Sequence, residues 1–404
     1  MNPALAVAYE GAMLLARGAA ALAPRGEGKL ARTFHGRRGV RERYVAWGRR
    51  GRDARRPLLW MHAPSVGEGL QARPVLERLR SADPALQLAY TFFSPSAEPF
   101  ARALDVDFRD YLPFDARGDA RAALEALRPR ALIFSKLDVW PNLSLEARSR
   151  GVRLGLISAT LRPGSGRRSR MAAALLKDAY ARLDLVGAVH DEDAELLVAL
   201  GVRPQAIRVT GDARFDQVWG KAAQVNRDGA LLAPLRSQRF TLVAGSTWPA
   251  DERPLLEAWE AARLTHPEVR LVIAPHEPTP HHLEPIERRA RAAGVSLARL
   301  GSPEAGGADV VLVDRVGVLG ELYALADVAY VGGGFHDAGL HSVLEPAAYG
   351  VPVLFGPRHG NSRDASRLLQ ASGGVATSSA ALLRDRLQAW IAAPDERRRA
   401  GVAA

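Results

Sequence analysis

The chain contains no cysteine. Disulfides, thiolate metal sites and a cysteine nucleophile are therefore excluded. It also lacks a glycine-rich dinucleotide fingerprint after the first strand of either α/β series, which argues against an ordinary dehydrogenase. No repeat of solenoid period is present. Acidic residues are in deficit: 44 Asp and Glu stand against 55 Lys and Arg, nearly all arginine, for a formal net charge of +11. A basic surface suits nucleic acid, an anionic membrane or a phosphorylated substrate. Nucleic acid is the weakest of these and is not expected as a partner. The charge concentrates beside an apolar segment and lacks interleaved aromatic side chains on which bases would stack.

What is present is an ordinary globular composition, 47% hydrophobic and 25% charged, in 404 residues. That length suggests two domains. The chain opens with "NPALAVAYEGAMLLARGAAALAP", apolar for about the length that spans a bilayer but interrupted by Glu10 and Arg17. No A-x-A-like end follows a basic n-region, so a cleaved secretory signal is not expected. From Arg25 to Arg56 twelve basic residues face three acidic ones, a local net charge of +9. An apolar helix before a basic block reads as an anchor over residues 1–24, with anionic inner-membrane lipids as partners and the bulk of the chain cytoplasmic. The alternative is a soluble helix packed on the body.

From residue 57 onward apolar and amphipathic runs alternate. "PLLWMHA", "LQLAYTFF", "RALIFS", "VRLGLIS", "LDLVGAV" and "IRVTG" read as buried parallel strands. They define one doubly wound domain over 25–216. A rhythm-breaking stretch over 217–238 is expected as a linker. A second series over 239–404 has strands "FTLVAGS", "RLVIAP", "ADVVLVD", "DVAYVGG" and "VPVLFG". Two Rossmann-like α/β domains in tandem are expected to leave a ligand cleft.

Three stretches carry candidate chemistry. In "HAPSVGEG" Glu68 sits where a strand hands over to a helix, a corner that faces the ligand crevice of an open α/β sheet. It is either a helix N-terminal charge or a group aimed at a substrate. In "VAGSTWPADE" Gly245, Ser246 and Thr247 form an anion site or a plain N-cap. In "YVGGGFHDAGLHSVLEPAAYGVPVLFG" the triple glycine Gly332–Gly334 allows close backbone approach to a ligand. There Glu345 either accepts ribose hydroxyls or is merely solvated. His62 and His341 read as hydrogen-bonded structural histidines, since no second histidine stands at metal spacing from either. His281 and His282 read as part of a solvated helix.

"HAPSVGE", "YLPFD", "DVWPNL", "VTGDARFD", "AGST", "GELYALADVAYVGG", "LEPAA" and "VLFGP" occur in this order. In this the chain resembles the Kdo transferases, which add 3-deoxy-D-manno-octulosonic acid from CMP-Kdo to lipid A precursors. The resemblance covers almost the whole chain. It implies the two-domain GT-B fold, the cytoplasmic face of the inner membrane, and neither metal nor cofactor. It makes Glu68 the proton acceptor and sets Arg214 near the transferred sugar. Nucleotide contacts fall on Pro275 and His276, on Gly320, Glu321 and Leu322, and on Ser342, Val343, Leu344 and Glu345. Ser246 and Thr247 match a phosphate-side loop.

Three departures bear on donor and acceptor. The family's E-T-E-L-W-P-N becomes "KLDVWPN", so Lys136 and Asp138 replace two glutamates. Its P-R-H-P becomes Pro275-His276-Glu277-Pro278, and its G-G-H-N-P-L-E becomes "GLHSVLE". Lys136 would either join Arg214, Ser246 and Thr247 in stabilising the leaving phosphate or pair with Asp138. A GT-B transferase for another nucleotide sugar, a sugar-nucleotide 2-epimerase and a non-catalytic membrane-bound binder are the alternatives.

Overall fold

The computed structural model describes residues 2–22, 26, 28–161 and 165–404. Residues 1, 23 and 24 of the expected anchor, and Arg25 and Glu27 of the basic stretch, lie outside the described residues. The chain divides into two compact units, Met1–Gln217 and Val218–Ala404.

The first unit is built on seven parallel strands: β1 (Leu58–His62), β2 (Gln87–Phe92), β3 (Phe108–Tyr111), β4 (Ala131–Ser135), β5 (Arg153–Ala159), β6 (Leu185–Ala188) and β7 (Ile207–Val209). Their order is β3-β2-β1-β4-β5-β6-β7. Helices cover both faces of such a sheet, so its central strands must be apolar on both sides. Every residue of β2 is buried, as are Trp60 and Phe134 on β1 and β4. The first strands run outward from β1 and the later ones outward from β4. The C-terminal ends of β1 and β4 therefore form the topological switch point, where open α/β sheets bind ligands.

Three helices precede this sheet: α1 (Pro3–Leu22), α2 (Lys29–Gly36) and α3 (Val40–Arg50). α1 is long and apolar enough to cross a bilayer by length and composition. Its orientation is the reverse of a soluble helix: Val7, Leu15 and Leu22 are 74%, 77% and 86% exposed. Its polar side chains face the body. Tyr9 donates to Asp115 Oδ2 at 3.0 Å. The Glu10 carboxylate accepts from Arg117 N and from Asn142 Nδ2, the latter at 2.8 Å. Arg17 pairs with Asp119 at 3.3 Å. The two charges that interrupt the apolar run are thus the ones that tie it down.

The second unit repeats the plan with β8 (Thr241–Thr247), β9 (Arg270–Pro275), β10 (Leu297–Arg299), β11 (Val310–Leu312), β12 (Val328–Val331), β13 (Val353–Phe355) and β14 (Gly374–Ala376). All are parallel, in the order β10-β11-β9-β8-β12-β13-β14. Its switch point lies at the ends of β8 and β12. Residues 217–238 do more than connect. Leu232 and Leu235 are buried in this unit's core, and buried Arg270 donates to Leu235 O at 2.7 Å.

Hydropathy alone did not mark β3, β10 and β14 as strands. All three are short edge strands, half covered and therefore without a continuous apolar run.

Candidate active site

β1 delivers the chain through Ala63 and Pro64 to Ser65, which precedes α4 (Val66–Ala82). Glu68 lies in the first turn of α4, where a carboxylate is favoured by the helix dipole. Gly69 is required beside it. A Cβ there would collide with Phe100 and the Tyr90 hydroxyl.

Lys136 follows β4 directly, in a left-handed conformation with φ 64°. A lysine held in that region costs backbone strain, which the fold tolerates because Lys136 N is fixed on Ile157 O at 2.8 Å. Its Nζ lies 3.3 Å from Glu68 Oε1. Ser65 Oγ donates to Glu68 Oε2, and Ser135 Oγ donates to the Glu68 carbonyl at 3.1 Å. Burial works to raise the Glu68 pKa. The Ser65 hydrogen bond and the Lys136 ammonium outweigh it, leaving the carboxyl below its ordinary value. Glu68 is ionised at neutral pH and able to accept a proton.

The possible Lys136–Asp138 pair does not form, because Lys136 turns to Glu68. Asp138 instead accepts from Trp140 Nε1 at 3.0 Å, lies 3.3 Å from His62 Nε2, and pairs with Arg167 at 3.6 Å. Burial again opposes ionisation, and the His62 contact and the Arg167 charge overcome it, holding Asp138 below the usual carboxylate range. His62 is fully buried, with Nδ1 3.0 Å from Thr91 Oγ1. It is a structural histidine that orients Asp138. Arg214 lies in the first turn of the helix Ala213–Ala223. Asp212 holds its guanidinium, with both Nε and Nη2 at 2.7 Å from Asp212 Oδ2.

In the second unit Ser246 is left-handed at φ 54°, and Thr247 is buried with its hydroxyl donating to Glu252 Oε1 at 3.0 Å. Burial raises the Glu252 carboxyl to about 6, against the Thr247 hydrogen bond. The Thr247 hydroxyl is thus committed inward, and Ser246 is the member of the pair left half-exposed.

The glycine run serves the protein's own backbone. A Cβ on Gly332 would occupy the place of Ser246 and Thr247 main chain, and one on Gly334 that of Gly356. Asp251 secures the loop, accepting from Gly333 N at 2.7 Å, Phe335 N at 3.0 Å and Tyr330 Oη at 3.1 Å. Its place three residues after Trp248, whose N–H it also accepts, is a helix-capping signal readable in the sequence; its role across the sheet is not.

An unexpected aromatic cluster lies beside it. Trp248 stacks on His336 with ring centroids 4.6 Å apart, and His276 on His341 at 4.3 Å. Trp248 Nε1 can only donate, so His341 Nε2 at 3.1 Å must accept and carry no proton. Burial and the nearby His276 keep the His341 pKa below its ordinary value, consistent with that neutral form. Among the described residues no three His, Asp or Glu side chains are grouped to hold a metal ion.

The remaining expected nucleotide residues fall into two kinds. Leu322, Val343 and Leu344 have buried side chains and can offer a ligand only backbone groups, as can Gly320. Pro275 ends β9 buried; His276, Glu321 and Ser342 are exposed. The side chain of Glu345, in the short helix Leu344–Ala347, makes no hydrogen bond among the described residues. Burial raises its carboxyl, and Lys221 opposes the shift.

A family model described as 3-Deoxy-D-manno-octulosonic-acid transferase (kdotransferase) matches residues 38–217. The chain is 33% identical over 343 residues to the 3-deoxy-D-manno-octulosonic acid transferase of Bordetella pertussis, covering 81% of this chain and 78% of that one. It is 26% identical to the Haemophilus influenzae protein of the same name, over 85% and 81% of the two chains. Among solved structures it is similar to a putative UDP-N-acetylglucosamine 2-epimerase from Listeria monocytogenes, with TM-score 0.61, 14% identity, and coverage of 86% and 91%. The UDP-GlcNAc 2-epimerase from Neisseria meningitidis gives TM-score 0.60, 13% identity, and coverage of 86% and 94%. At such identities the likeness is one of fold, and the fold is the GT-B type.

Proposed function

Because the chain belongs to the 3-deoxy-D-manno-octulosonic acid transferase family and is therefore a glycosyltransferase, we propose that it moves Kdo from CMP-Kdo to a lipid A precursor such as lipid IVA. The acceptor hydroxyl oxygen forms a bond to the anomeric carbon of Kdo, with inversion, as the bond from that carbon to the CMP phosphate oxygen breaks. Glu68 takes the hydroxyl proton, a role typically contributing ~10²–10⁴-fold.

The observation that carries this reading is the Glu68–Lys136 pair at the switch point of the first sheet. A general base must be ionised at working pH, and Lys136 serves that end. The lysine that replaces a family glutamate thus tunes the base without abolishing it. Asp138, oriented by His62 and Trp140, lies two residues on and lines the same corner. Arg214 stabilises charge on the transferred sugar or the departing phosphate.

On the second unit the half-exposed Ser246 faces the phosphate, and Glu345 accepts from the ribose hydroxyls. Its raised carboxyl suits this role, since a half-buried acceptor whose side chain makes no hydrogen bond among the described residues gains from ligand hydroxyls. Gly320, Leu322, Val343 and Leu344 contribute main-chain groups, while Pro275, His276, Glu321 and Ser342 border them.

The inverted polarity of α1 supports a helix that lies on the cytoplasmic face of the inner membrane. Its leucines enter the bilayer while Glu10 and Arg17 hold it to the body. The test is incubation with CMP-Kdo and a tetra-acylated lipid A precursor, with products read by mass spectrometry. A mass increase of one or more Kdo units is expected. Turnover of another nucleotide sugar, or none, would overturn the assignment.

A further inference from the structure

Beside the C-terminal half of α1 the first unit encloses a cavity of about 530 Å³ that the transfer chemistry does not use. Its size is that of a small-ligand site, roughly 300–1,000 Å³. Small residues of α1, Gly18, Ala20 and Ala21, leave the space open on one side. The turn between α2 and α3 closes the other, bent at Gly39 with φ 65°.

The lining is cationic. Arg37 forms a rigid floor: it is 4% exposed, donates to the carbonyls of Leu112, Thr33 and Phe93, and lies 3.7 Å over the Phe93 ring. Arg17, Arg38 and Arg41 complete the positive wall, against Glu42 and Asp119. Asp119 is paired with Arg17, and Arg38 Nε donates to Ala20 O at 3.3 Å, so the fold holds these two arginines beside the space, and the exposed Arg41 completes the wall. The elements that frame it also carry exposed leucines: Leu15 and Leu22 on α1 and Leu30 on α2, at 77%, 86% and 67%. A cation-lined cavity framed by helices with exposed apolar side chains matches one ligand chemistry, an anionic head joined to acyl chains.

We propose that this cavity seats the phosphate of a membrane-lipid headgroup, separately from the acceptor position at Glu68. The inference rests on the reading that the chain works at a bilayer surface. The seated phosphate fixes the depth and rotation of the first unit, and the leucines supply the apolar contact.

The test uses the full-length chain and co-sedimentation with phosphatidylcholine vesicles, with and without phosphatidylglycerol. The double variant R38Q/R41Q is compared with R49Q/R50Q, which removes the same charge from exposed positions at the other end of α3. A surface arginine is worth about 1 kcal/mol on an anionic membrane, so R38Q/R41Q should lose about thirtyfold in partition to the anionic vesicles. R49Q/R50Q, at exposed positions that do not line the cavity, should lose clearly less than R38Q/R41Q. Equal losses would mean diffuse attraction and overturn the site, as would unchanged partition of R38Q/R41Q. R41Q alone should lose about fivefold, and an unchanged thermal melt keeps folding out of the comparison. Inorganic phosphate at constant ionic strength should weaken vesicle binding of the native chain more than that of R38Q/R41Q, because the two phosphates compete for one seat; phosphate binding that leaves vesicle partition unchanged would assign the cavity to a soluble anion and overturn the lipid headgroup. Vesicle partition needs no turnover, so failure of Kdo transfer is recognised separately.

Discussion

Replacing Glu68 with glutamine separates a structural carboxylate from a catalytic one. In the structural case the losses are an ion pair and a helix N-terminal charge. The pair is 3.3 Å long with its lysine 44% exposed, the kind worth about 0–1 kcal/mol. The N-terminal charge adds about 0.3–1 kcal/mol, while glutamine's carbonyl oxygen still accepts from Ser65. The total is at most about 2 kcal/mol, or a melting shift of roughly 4–8 °C for a unit of this size, with turnover intact. If Glu68 takes the acceptor proton, glutamine keeps the shape and loses the function. Turnover should then fall ~10²-fold or more, about 2.7 kcal/mol of transition-state stabilisation, with CMP affinity unchanged. The companion variant is Lys136→Met. A carboxylate base works ionised, so activity is lost as pH falls through its pKa. Lys136 holds that pKa down, and removing it should move the acid limb of the kcat–pH profile upward while leaving the alkaline limb in place. The assay is Kdo transfer followed by mass spectrometry across pH. Near-wild-type turnover by Glu68→Gln would refute the base and turn attention to Asp138; an unmoved acid limb in Lys136→Met would refute the tuning.

Other consequences are open to measurement. Glu345→Ala should weaken CMP binding about tenfold or more in calorimetry, the cost of a charge-assisted hydrogen bond; unchanged affinity would remove Glu345 from the site. Glu252, with its carboxyl raised to about 6, contributes stability that is present below the unfolded value of 4.5 and lost as pH rises through 6. The shift corresponds to about 2 kcal/mol. Between pH 4 and pH 8 the melting temperature of the native chain should therefore fall relative to Glu252→Gln, by roughly 4–8 °C. Tyr9→Phe removes a hydroxyl that donates to buried Asp115 and should cost about 1.5–3 kcal/mol in chemical denaturation without altering membrane partition. Deleting residues 1–22 should instead move the protein from the membrane pellet to the soluble fraction at high salt, and unchanged fractionation would refute membrane contact by α1.

Most of the architecture was legible because parallel strands covered on both faces must be apolar throughout. Ten strands announce themselves that way; the exposed edge β7 was read from its short apolar run, and the edges β3, β10 and β14 gave no such signal. The candidate site was legible in its residue types: a glutamate in a strand-to-helix turn, a hydroxyl pair before a helix, a glycine run. Their partners were not. Trp248 and His336 carried no signal, since a stack depends on which loops converge. The three glycines signalled close approach but not what approaches, which proved to be the chain's own main chain.

The sequence by itself determined the two parallel α/β series, the position of Glu68 where β1 hands over to α4 and the interruption of the apolar N-terminal segment at Glu10 and Arg17. These are local properties, set by hydrophobic period and turn chemistry within a few residues. Only the tertiary structure decided that Lys136 serves Glu68 and not Asp138, that Glu10 reaches Asn142, and that Asp251 holds Gly333. Each of those pairs joins residues dozens of positions apart. The period of a strand says that it is buried but not which strand lies beside it. The choice of neighbour, β4 beside β1 and β12 beside β8, is made by the packing of the crossovers, and that choice brings the charges together.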